Sequence, residues 1–375
     1  MKKGLQISPK LIELILEKYQ LKANKIFDNE KGYRNLIVPI QLEKPAEINV
    51  ASKKKVWKKV CLVFLKNEPQ IINRTKNAHI ITKYLANKSL PVRTALNPDK
   101  SSAQTLLKIS DNHKTRYACV YTYLPGSTIS WETYTKKHIK LLGQVLSLLH
   151  QQLNQGDHKA LSSKTDLPDV SQIIAHNLKN MEAYFSNKDV KNALLKKLNL
   201  EVNFNKLRSF NDLVKISDKN KNIIHLDFVR SNLLFSSLKK EQIIQQKLSN
   251  LCFDFEPTLQ NSKQKQYLTI TGILDFEKSA YGPLIVDIAR TLAFLLVDCK
   301  YKTERKIRKY FLHSGYQKRG NNELPDLSSL NNFIDYFLLF DFYKFLRHNP
   351  YQFLVQNQHF LRTRDYLIKN NIIQK

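Results

Sequence analysis

The sequence is poor in glycine and cysteine and has no long hydrophobic run. Only 9 of its 375 residues are glycine, which excludes a collagen-like repeat. The best apolar stretch, residues 291–297, falls far short of the roughly 20 residues that span a bilayer. The four cysteines lie far apart, so neither a paired zinc spacing nor a C-x-x-C redox pair is present. Acidic residues interrupt the N-terminal apolar positions, so we expect no signal peptide and a cytoplasmic location.

Acidic residues are also scarce, and this gives the chain its unusual charge. There are 61 Lys and Arg against 32 Asp and Glu, a net charge of +29. The lysines are scattered along the chain, with one local cluster at residues 53–59. This scatter favours drift in amino-acid composition, and not binding to a polyanionic partner, as the origin of the positive charge. A nucleic-acid-binding surface is the less favoured alternative. It predicts basic residues on one face and binding that weakens steeply with salt.

Hydrophobic periodicity predicts a small mixed-sheet domain followed by a larger helical one, with a boundary near residue 125. Ser8 and Pro9 are suited to begin a helix over residues 8–21. Two short strands at 36–40 and 60–65, separated by a lysine-rich turn, precede a helix over 70–87 and a strand over 117–124. Helices then dominate, at 131–153, 171–200 and from 284 onward. The polar segment 239–266 is interpreted as a solvated insertion.

One polar loop between two short apolar strands carries a pattern suited to phosphate chemistry. His225, Asp227 and Asn232 form the pattern H-x-D-x-x-x-x-N. In such a loop an acid and an amide can point into one site, where the acid accepts a proton and the amide oxygen coordinates a cation. Phosphoryl transfer needs this combination, because a carboxylate must orient the attacking hydroxyl while oxygen ligands hold Mg²⁺.

A second acidic motif follows the next apolar strand. Asp275 begins the sequence D-F-E, an aromatic–glycine turn follows, and Asp287 lies twelve residues after Asp275. A competing D-F-E begins at Asp254, but no comparable turn or second aspartate follows it. We therefore assign the metal-binding aspartate to Asp275. We expect Asp287 to accept hydrogen bonds from the backbone of the first loop, whereas Glu277 is a weaker candidate to assist the metal.

Together these motifs resemble the catalytic loop and metal-binding segment of the aminoglycoside phosphotransferase, choline kinase and homoserine kinase branch of the protein-kinase-like superfamily. The resemblance implies an α+β, two-lobed kinase-like fold. It implies an N-terminal helical arm over 1–24, a small antiparallel-sheet lobe over 25–125 and a mainly helical lobe over 126–375. The insertion then occupies about residues 237–268.

The resemblance also implies roles for particular residues. Asp227 and Arg230 are expected to be catalytic, although Arg230 could instead form a salt bridge, and Asn232 and Asp275 are expected to bind Mg²⁺. The residues expected to contact the nucleotide are Gly32, Asn35, Lys66 and the hinge residues Thr122, Tyr123 and Leu124. Lys59 is the alternative to Lys66. The helix glutamate that normally pairs with such a lysine is missing at its expected position, near Ala78, and Glu68 is the only acid nearby.

We therefore expect an ATP- and Mg²⁺-dependent kinase that phosphorylates a hydroxyl group of a small polar metabolite. The candidate acceptors are an amino alcohol, homoserine, a sugar derivative or an aminoglycoside, and the sequence does not choose among them. The alternative is a catalytically weak, kinase-like binding module with a basic surface for nucleic acid or other anions.

Overall fold

The structure is a computed structural model that carries all side chains. It describes residues 7–28, 30–31, 35–50, 53–66, 68–98, 104–111, 114–154, 158–218, 221–253, 265–319 and 324–375. Within these residues no helix is long and apolar enough to cross a membrane. Gly32 and Asp254, which the sequence analysis singled out, lie outside the described residues.

The first part of the chain forms an antiparallel sheet with two helices. The strands are β1 (Ala23–Ile26), β2 (Glu30–Lys31), β3 (Leu36–Val50), β4 (Lys53–Phe64), β5 (Leu107–Asp111) and β6 (Lys114–Thr122), and the helices are α1 (Pro9–Lys18) and α2 (Ile71–Asn87). Their order in the sheet is β1-β3-β4-β6-β5, and β2 also pairs with β3. Helix α1 begins as expected, because the Ser8 side chain accepts a hydrogen bond from the Leu11 N–H at 3.2 Å.

Alternation along β4 gives the sheet two different faces. Val60, Leu62 and Phe64 pack in one cluster with the apolar side of α1. Cys61 and Val63 point the other way, into a second cluster with Tyr121. Odd-numbered residues of β4 therefore face the side of the sheet where α2 and the helical lobe lie.

The rest of the chain is mainly helical. Its helices are α3 (Lys136–Asn154), α4 (His158–Ser162), α5 (Val170–Ser186), α6 (Lys188–Leu198), α7 (Phe204–Ser209), α8 (Asn211–Ser217), α9 (Lys240–Gln245), α10 (Leu284–Asp298), α11 (Glu304–Arg308), α12 (Gln317–Arg319), α13 (Leu330–His348), α14 (Tyr351–Leu354) and α15 (Gln358–Lys369). Three antiparallel strand pairs complete it. They join β7 (Glu201–Val202) to β12 (Ile373–Gln374), β8 (Asn222–Ile224) to β11 (Ala280–Gly282), and β9 (Leu233–Lys239) to β10 (Gln266–Ile273).

Helix α2 connects the two parts of the molecule. Ile71, at its start, belongs to the cluster beneath the sheet, whereas Ile81 and Leu85 are fully buried in the large core of the helical lobe. Asn77 fastens the middle of the helix to that lobe. Its side chain accepts from the Asp166 N–H at 3.1 Å and donates to the Asp166 carbonyl at 2.6 Å.

The structure differs from the sequence-based expectation in two helix and strand boundaries. The lysine-rich residues 53–59, predicted as a turn, belong to β4, so the β3–β4 hairpin is much longer than expected. The predicted helix over 171–200 is two helices, α5 and α6. The break falls at Asn187, whose side chain caps α6 by accepting from two backbone N–H groups.

Residues 239–253, the described first part of the segment predicted to be a solvated insertion, are partly buried. Helix α9 lies within it, and Ile243, Leu248 and Leu251 are buried in the main core. The segment is rich in Lys, Gln and Ser, but it also contains a few apolar residues at the spacing needed for packing against the core.

Two adjacent residues of α9 test this packing. Ile243 is 0% exposed and Ile244 is 56% exposed. We expect Ile243→Ala to lower the free energy of unfolding by about 2–5 kcal/mol, because it removes buried methyl groups and leaves a cavity. Ile244→Ala is the matched control and should change it by less than about 0.5 kcal/mol. Equal effects in urea denaturation would show that the insertion does not pack as described.

Candidate active site

The loop that carries Asp227 connects β8 to β9 and is held from below by Asp287. The two Asp287 carboxylate oxygens accept hydrogen bonds from the N–H groups of His225 at 2.8 Å and Leu226 at 2.9 Å. Asp287 lies in the first turn of α10. Leu226 has a left-handed backbone with φ of 60°, which non-glycine residues rarely adopt. The expected contact between Asp287 and this loop is therefore present, and it stabilises an unfavourable backbone conformation.

Asp287 is completely buried, and a second histidine, His150, is a further hydrogen-bond partner of its carboxylate. His150 Nε2 lies 3.0 Å from Asp287 Oδ2, and the other ring nitrogen of His150 lies 2.7 Å from the Tyr316 hydroxyl. Burial raises the pKa of the Asp287 carboxyl, but the contacts with His150 and the His225 backbone outweigh it and lower the pKa overall. Asp287 is therefore a carboxylate at neutral pH.

Pairing of β9 with β10 brings the two sequence motifs together. Leu233 lies opposite Ile273, so the residues just outside this pair, Asn232 and Leu274, are also neighbours. The Leu274 N–H donates to the Asn232 carbonyl at 2.8 Å, and His225 Nε2 lies 3.0 Å from the Leu274 carbonyl. Asp275 follows directly and has a left-handed backbone with φ of 60°. These contacts bring the backbone at Asn232 against the residue that precedes Asp275.

Asp227 is buried beside Asn232 and has a lysine partner that sequence analysis missed. Asn232 Nδ2 donates to both the carbonyl and Oδ2 of Asp227 at 2.9 Å. Lys278 Nζ lies 2.6 Å from Asp227 Oδ2. Burial raises the pKa of Asp227, but the charges of Lys278 and Arg290 outweigh it, so the pKa is lowered overall. Lys278 lies three residues after Asp275, and no pattern in the sequence indicates that its side chain contacts Asp227.

The donor set beside Asp275 fits Mg²⁺. Both hydrogen bonds from Asn232 to Asp227 use the amide nitrogen, so the oxygen that ligates cations lies on the other side of the amide group. Asp275 and Glu277 are half-buried and supply carboxylate oxygens. Among the described residues no cluster of three or more His, Cys, Asp or Glu could hold a metal alone. Mg²⁺ in kinases needs only one or two protein oxygens, because phosphates and water supply the rest.

The predicted phosphate lysine, Lys66, has an acidic partner in the structure. It follows the end of β4 by two residues, its side chain is 58% exposed, and it forms an ion pair of 2.9 Å with Glu68. Its role at the phosphates stays a prediction. Asn35 lies next to it and accepts from the Lys66 N–H at 3.2 Å. The alternative, Lys59, lies on the cleft side, with its ammonium group over the rings of Phe27 and Tyr123.

The predicted hinge follows the end of β6. The Thr122 N–H donates to the Thr94 carbonyl at 2.9 Å, and the buried Thr122 hydroxyl accepts from the Thr94 N–H at 3.1 Å. The backbone donor of Thr122 is thus already used within the sheet lobe. Tyr123 and Leu124 are half-buried. A nucleotide base in the cleft would therefore meet the backbone of Tyr123 and Leu124 before that of Thr122.

Arg230 forms the salt bridge that the sequence analysis left open. Its Nε donates to Oδ2 of Asp298 at 2.9 Å, and its Nη1 donates to the Ile129 carbonyl at 3.3 Å. The Asp298 side chain is 1% exposed and that of Arg230 is 29% exposed. The bridge ties the catalytic loop to the end of α10. The structure therefore gives Arg230 a structural partner, and its catalytic role stays a prediction.

A second buried ion pair lies beneath Asp227. Arg290 contacts Asp341 with both terminal nitrogens, at 2.7 and 3.2 Å, and Lys344 reaches the same carboxylate at 2.8 Å. Burial raises the pKa of Asp341, but Arg290 and Lys344 outweigh it and the pKa is lowered overall. Arg290 follows Asp287 by three residues on α10. This spacing places Arg290 on the same side of the helix as Asp287.

Comparison with known proteins identifies the fold. No protein-family model matches the sequence, and no curated protein matches it either. Solved structures do resemble it. Amicoumacin kinase hAmiN, in complex with AMP-PNP, Ca²⁺ and Ami, is 15% identical, with 96% of this chain and 94% of that chain covered and a TM-score of 0.60.

Two further structures have the same arrangement. The microcompartment-associated aminopropanol kinase is 12% identical over 97% of this chain and 99% of its own, with a TM-score of 0.55. The GDP complex of wild-type aminoglycoside 2'-phosphotransferase-IIIa is 12% identical over 96% of this chain and 100% of its own, with a TM-score of 0.54. These likenesses establish the fold, and the expected α+β kinase-like architecture is confirmed.

The Asp287 contacts predict a pH-dependent stability. We expect Asp287→Asn to lower the free energy of unfolding at pH 7 by about 2–4 kcal/mol, since it weakens hydrogen bonds to a buried charge. The lowered pKa stabilises the folded protein above the unfolded-state pKa of about 4, and this contribution disappears as the pH falls through the folded-state pKa. The difference between wild type and variant should therefore shrink on acidification.

Asp326 offers a matched control, because it also accepts a backbone N–H, that of Ser328 at 2.9 Å, but at the surface. Asp326→Asn should have a much smaller effect on urea denaturation. If the two variants were equally stable at pH 7, Asp287 would not anchor the loop.

Proposed function

We propose that this protein is an ATP- and Mg²⁺-dependent kinase that transfers the γ-phosphate to a hydroxyl group of a small polar metabolite. Acceptors of the proposed class are an amino alcohol, homoserine, a sugar derivative or an aminoglycoside. The observation that carries the proposal is the β9–β10 pairing, which brings the loop of Asp227 and Asn232 against the segment that leads into Asp275, while Asp287 anchors that loop. The four cysteines are buried and none is assigned to a disulfide, which supports a reducing, cytoplasmic location.

Asp227 is proposed to orient the acceptor hydroxyl and to accept its proton. Its lowered pKa keeps the carboxylate ionised at neutral pH. The hydrogen bonds from Asn232 fix the direction of the carboxylate. Lys278 is half-exposed and close enough to share its charge between the carboxylate and a nearby phosphate. Positioning and charge neutralisation of this kind provide most of the catalysis in phosphoryl transfer.

Asn232 and Asp275 are proposed to hold Mg²⁺, with Glu277 as an assisting carboxylate. When bound, the ion would neutralise charge on the nucleotide phosphates. Two of the solved structures with this fold carry AMP-PNP and GDP, and the first of them also carries Ca²⁺, which supports a nucleotide and a divalent cation in this cleft.

Asp227→Asn tests the role of the carboxylate. With ATP, Mg²⁺ and a panel of the acceptors above, we expect kcat to fall by about 10²–10⁴-fold, because general-base catalysis contributes roughly this factor. Binding of Mg²⁺·AMP-PNP should change little. The control is Asp212→Asn, an exposed aspartate that pairs with Lys215. A catalytic rate equal to wild type in the Asp227 variant would contradict the proposed role.

Asp275→Asn tests the metal site. We expect the variant to lose most of the gain in AMP-PNP affinity that Mg²⁺ gives the wild type, because one of two protein ligands loses its charge. Calorimetric titrations with Mg²⁺ and with EDTA separate this gain from metal-free binding, which should stay the same. An unchanged Mg²⁺ dependence would rule out Asp275 as a ligand.

A further inference from the structure

The cleft face of β4 has no cation where a phosphate lysine would be expected. Between Lys59 and the end of the strand, the residues on this face are Cys61 and Val63, both buried. Lys59 lies toward the hinge, with its ammonium group 5.5 Å from the centre of the Tyr123 ring. Lys66 lies past the strand end, paired with Glu68. The charge that would face nucleotide phosphates must therefore come from another element.

Helix α2 has no carboxylate to hold a strand lysine. Its residues 71–87 include neither Asp nor Glu. His79 occupies its inner side instead, with ring nitrogens 2.6 Å from the Thr105 hydroxyl and 2.8 Å from the Tyr121 hydroxyl. Burial and the charge of Arg93 lower the pKa of His79 to about 3. His79 is thus neutral, and it positions Tyr121 instead of pairing with a cation.

Arg93 follows α2 and is held beside the metal-binding segment. On one side of it, the Pro91 carbonyl accepts from the Ile273 N–H at 2.8 Å, and on the other side Thr94 bonds to Thr122. The Arg93 guanidinium lies 4.5 Å from the centre of the Tyr121 ring. Arg93 is therefore fixed between the end of β10 and the hinge.

The Arg93 side chain shares a small cavity with the proposed metal ligand. Arg93, Tyr121, Asp275 and Glu277 all line this cavity of about 20 Å³. Arg93 and Glu277 shift the pKa of Tyr121 in opposite directions, so both charges act on the same ring. The cavity has room for about one water molecule. Phosphates would lie outside it, next to the Arg93 side chain, which is only half-buried.

We propose that Arg93 neutralises the nucleotide phosphates next to the metal site, in place of the strand lysine, with Tyr121 supporting it and Glu277 as the nearby counter-charge. This inference rests on the proposed function. Arginine suits such a half-buried position, because it is always charged, is more weakly hydrated than lysine and binds phosphate with two parallel hydrogen bonds.

The test compares binding of Mg²⁺·AMP-PNP with binding of adenosine, which lacks phosphates. We expect Arg93→Met to weaken the binding of Mg²⁺·AMP-PNP by at least about tenfold, equivalent to about 1.4 kcal/mol. The affinity for adenosine should change by less than about twofold. Lys66→Met and Lys59→Met test the two lysines that compete for this role, and neither should show a loss of affinity confined to AMP-PNP. Lys83→Met, at an exposed position of α2, is the matched control and should change both affinities by less than about twofold. If the Lys66 or Lys59 variant showed the phosphate-specific loss instead, Arg93 would not have this role.

Two further measurements keep the result unambiguous. Circular dichroism checks the fold, and Arg93→Gln gives a second uncharged side chain if methionine disturbs the packing on Tyr121. Should wild type bind neither AMP-PNP nor adenosine, the proposed function itself would fail. Should wild type bind AMP-PNP tightly and both Arg93 variants bind it equally well, only the inference about Arg93 would fail.

Discussion

The geometry of the cleft depends on the buried carboxylate of Asp287. An ionised carboxylate in a dry interior is costly unless donors surround it, and here two consecutive loop amides and His150 do so. Because those amides belong to His225 and Leu226, the position of Asp227 is set by a residue on a different element. The contact thus connects the packing of α10 in the core directly to the orientation of the proposed base.

Both proposed functional aspartates lie at strained points of the backbone. Leu226, just before Asp227, and Asp275 itself have left-handed conformations, which cost roughly 1–2 kcal/mol each for residues with a side chain. The contacts that offset this cost join the two loops to each other and to α10. Such strain persists only where surrounding structure enforces it, and it commonly lies at functional sites. Here the strained residues lie where the two loops meet and where one of them is anchored on α10.

The parts of the site that could be predicted from sequence are those fixed by local spacing and strand pairing. Asn232 and Asp275 flank two strands that pair, so their proximity follows from short apolar runs on either side. The residues of β4 that face the cleft were harder to predict from sequence, because a shift of one residue along a strand turns the side chain to the opposite face of the sheet. Lys66 was assigned on its position after an apolar run, and the sequence could not show that it would pair with Glu68 just beyond the end of β4. Lys278 and Arg93 reach the site through tertiary contacts that no spacing rule encodes.

The large positive charge of the chain does not produce the electrostatics of the cleft. Surface lysines act through solvent, where salt screens their fields within about 8–10 Å. The charges that lower the pKa of Asp227 are instead Lys278, in direct contact at 2.6 Å, and the buried Arg290. Arg290 is in turn held by two hydrogen bonds to Asp341. These short, partly buried contacts, and not the net charge of the chain, therefore determine the ionisation of the proposed base.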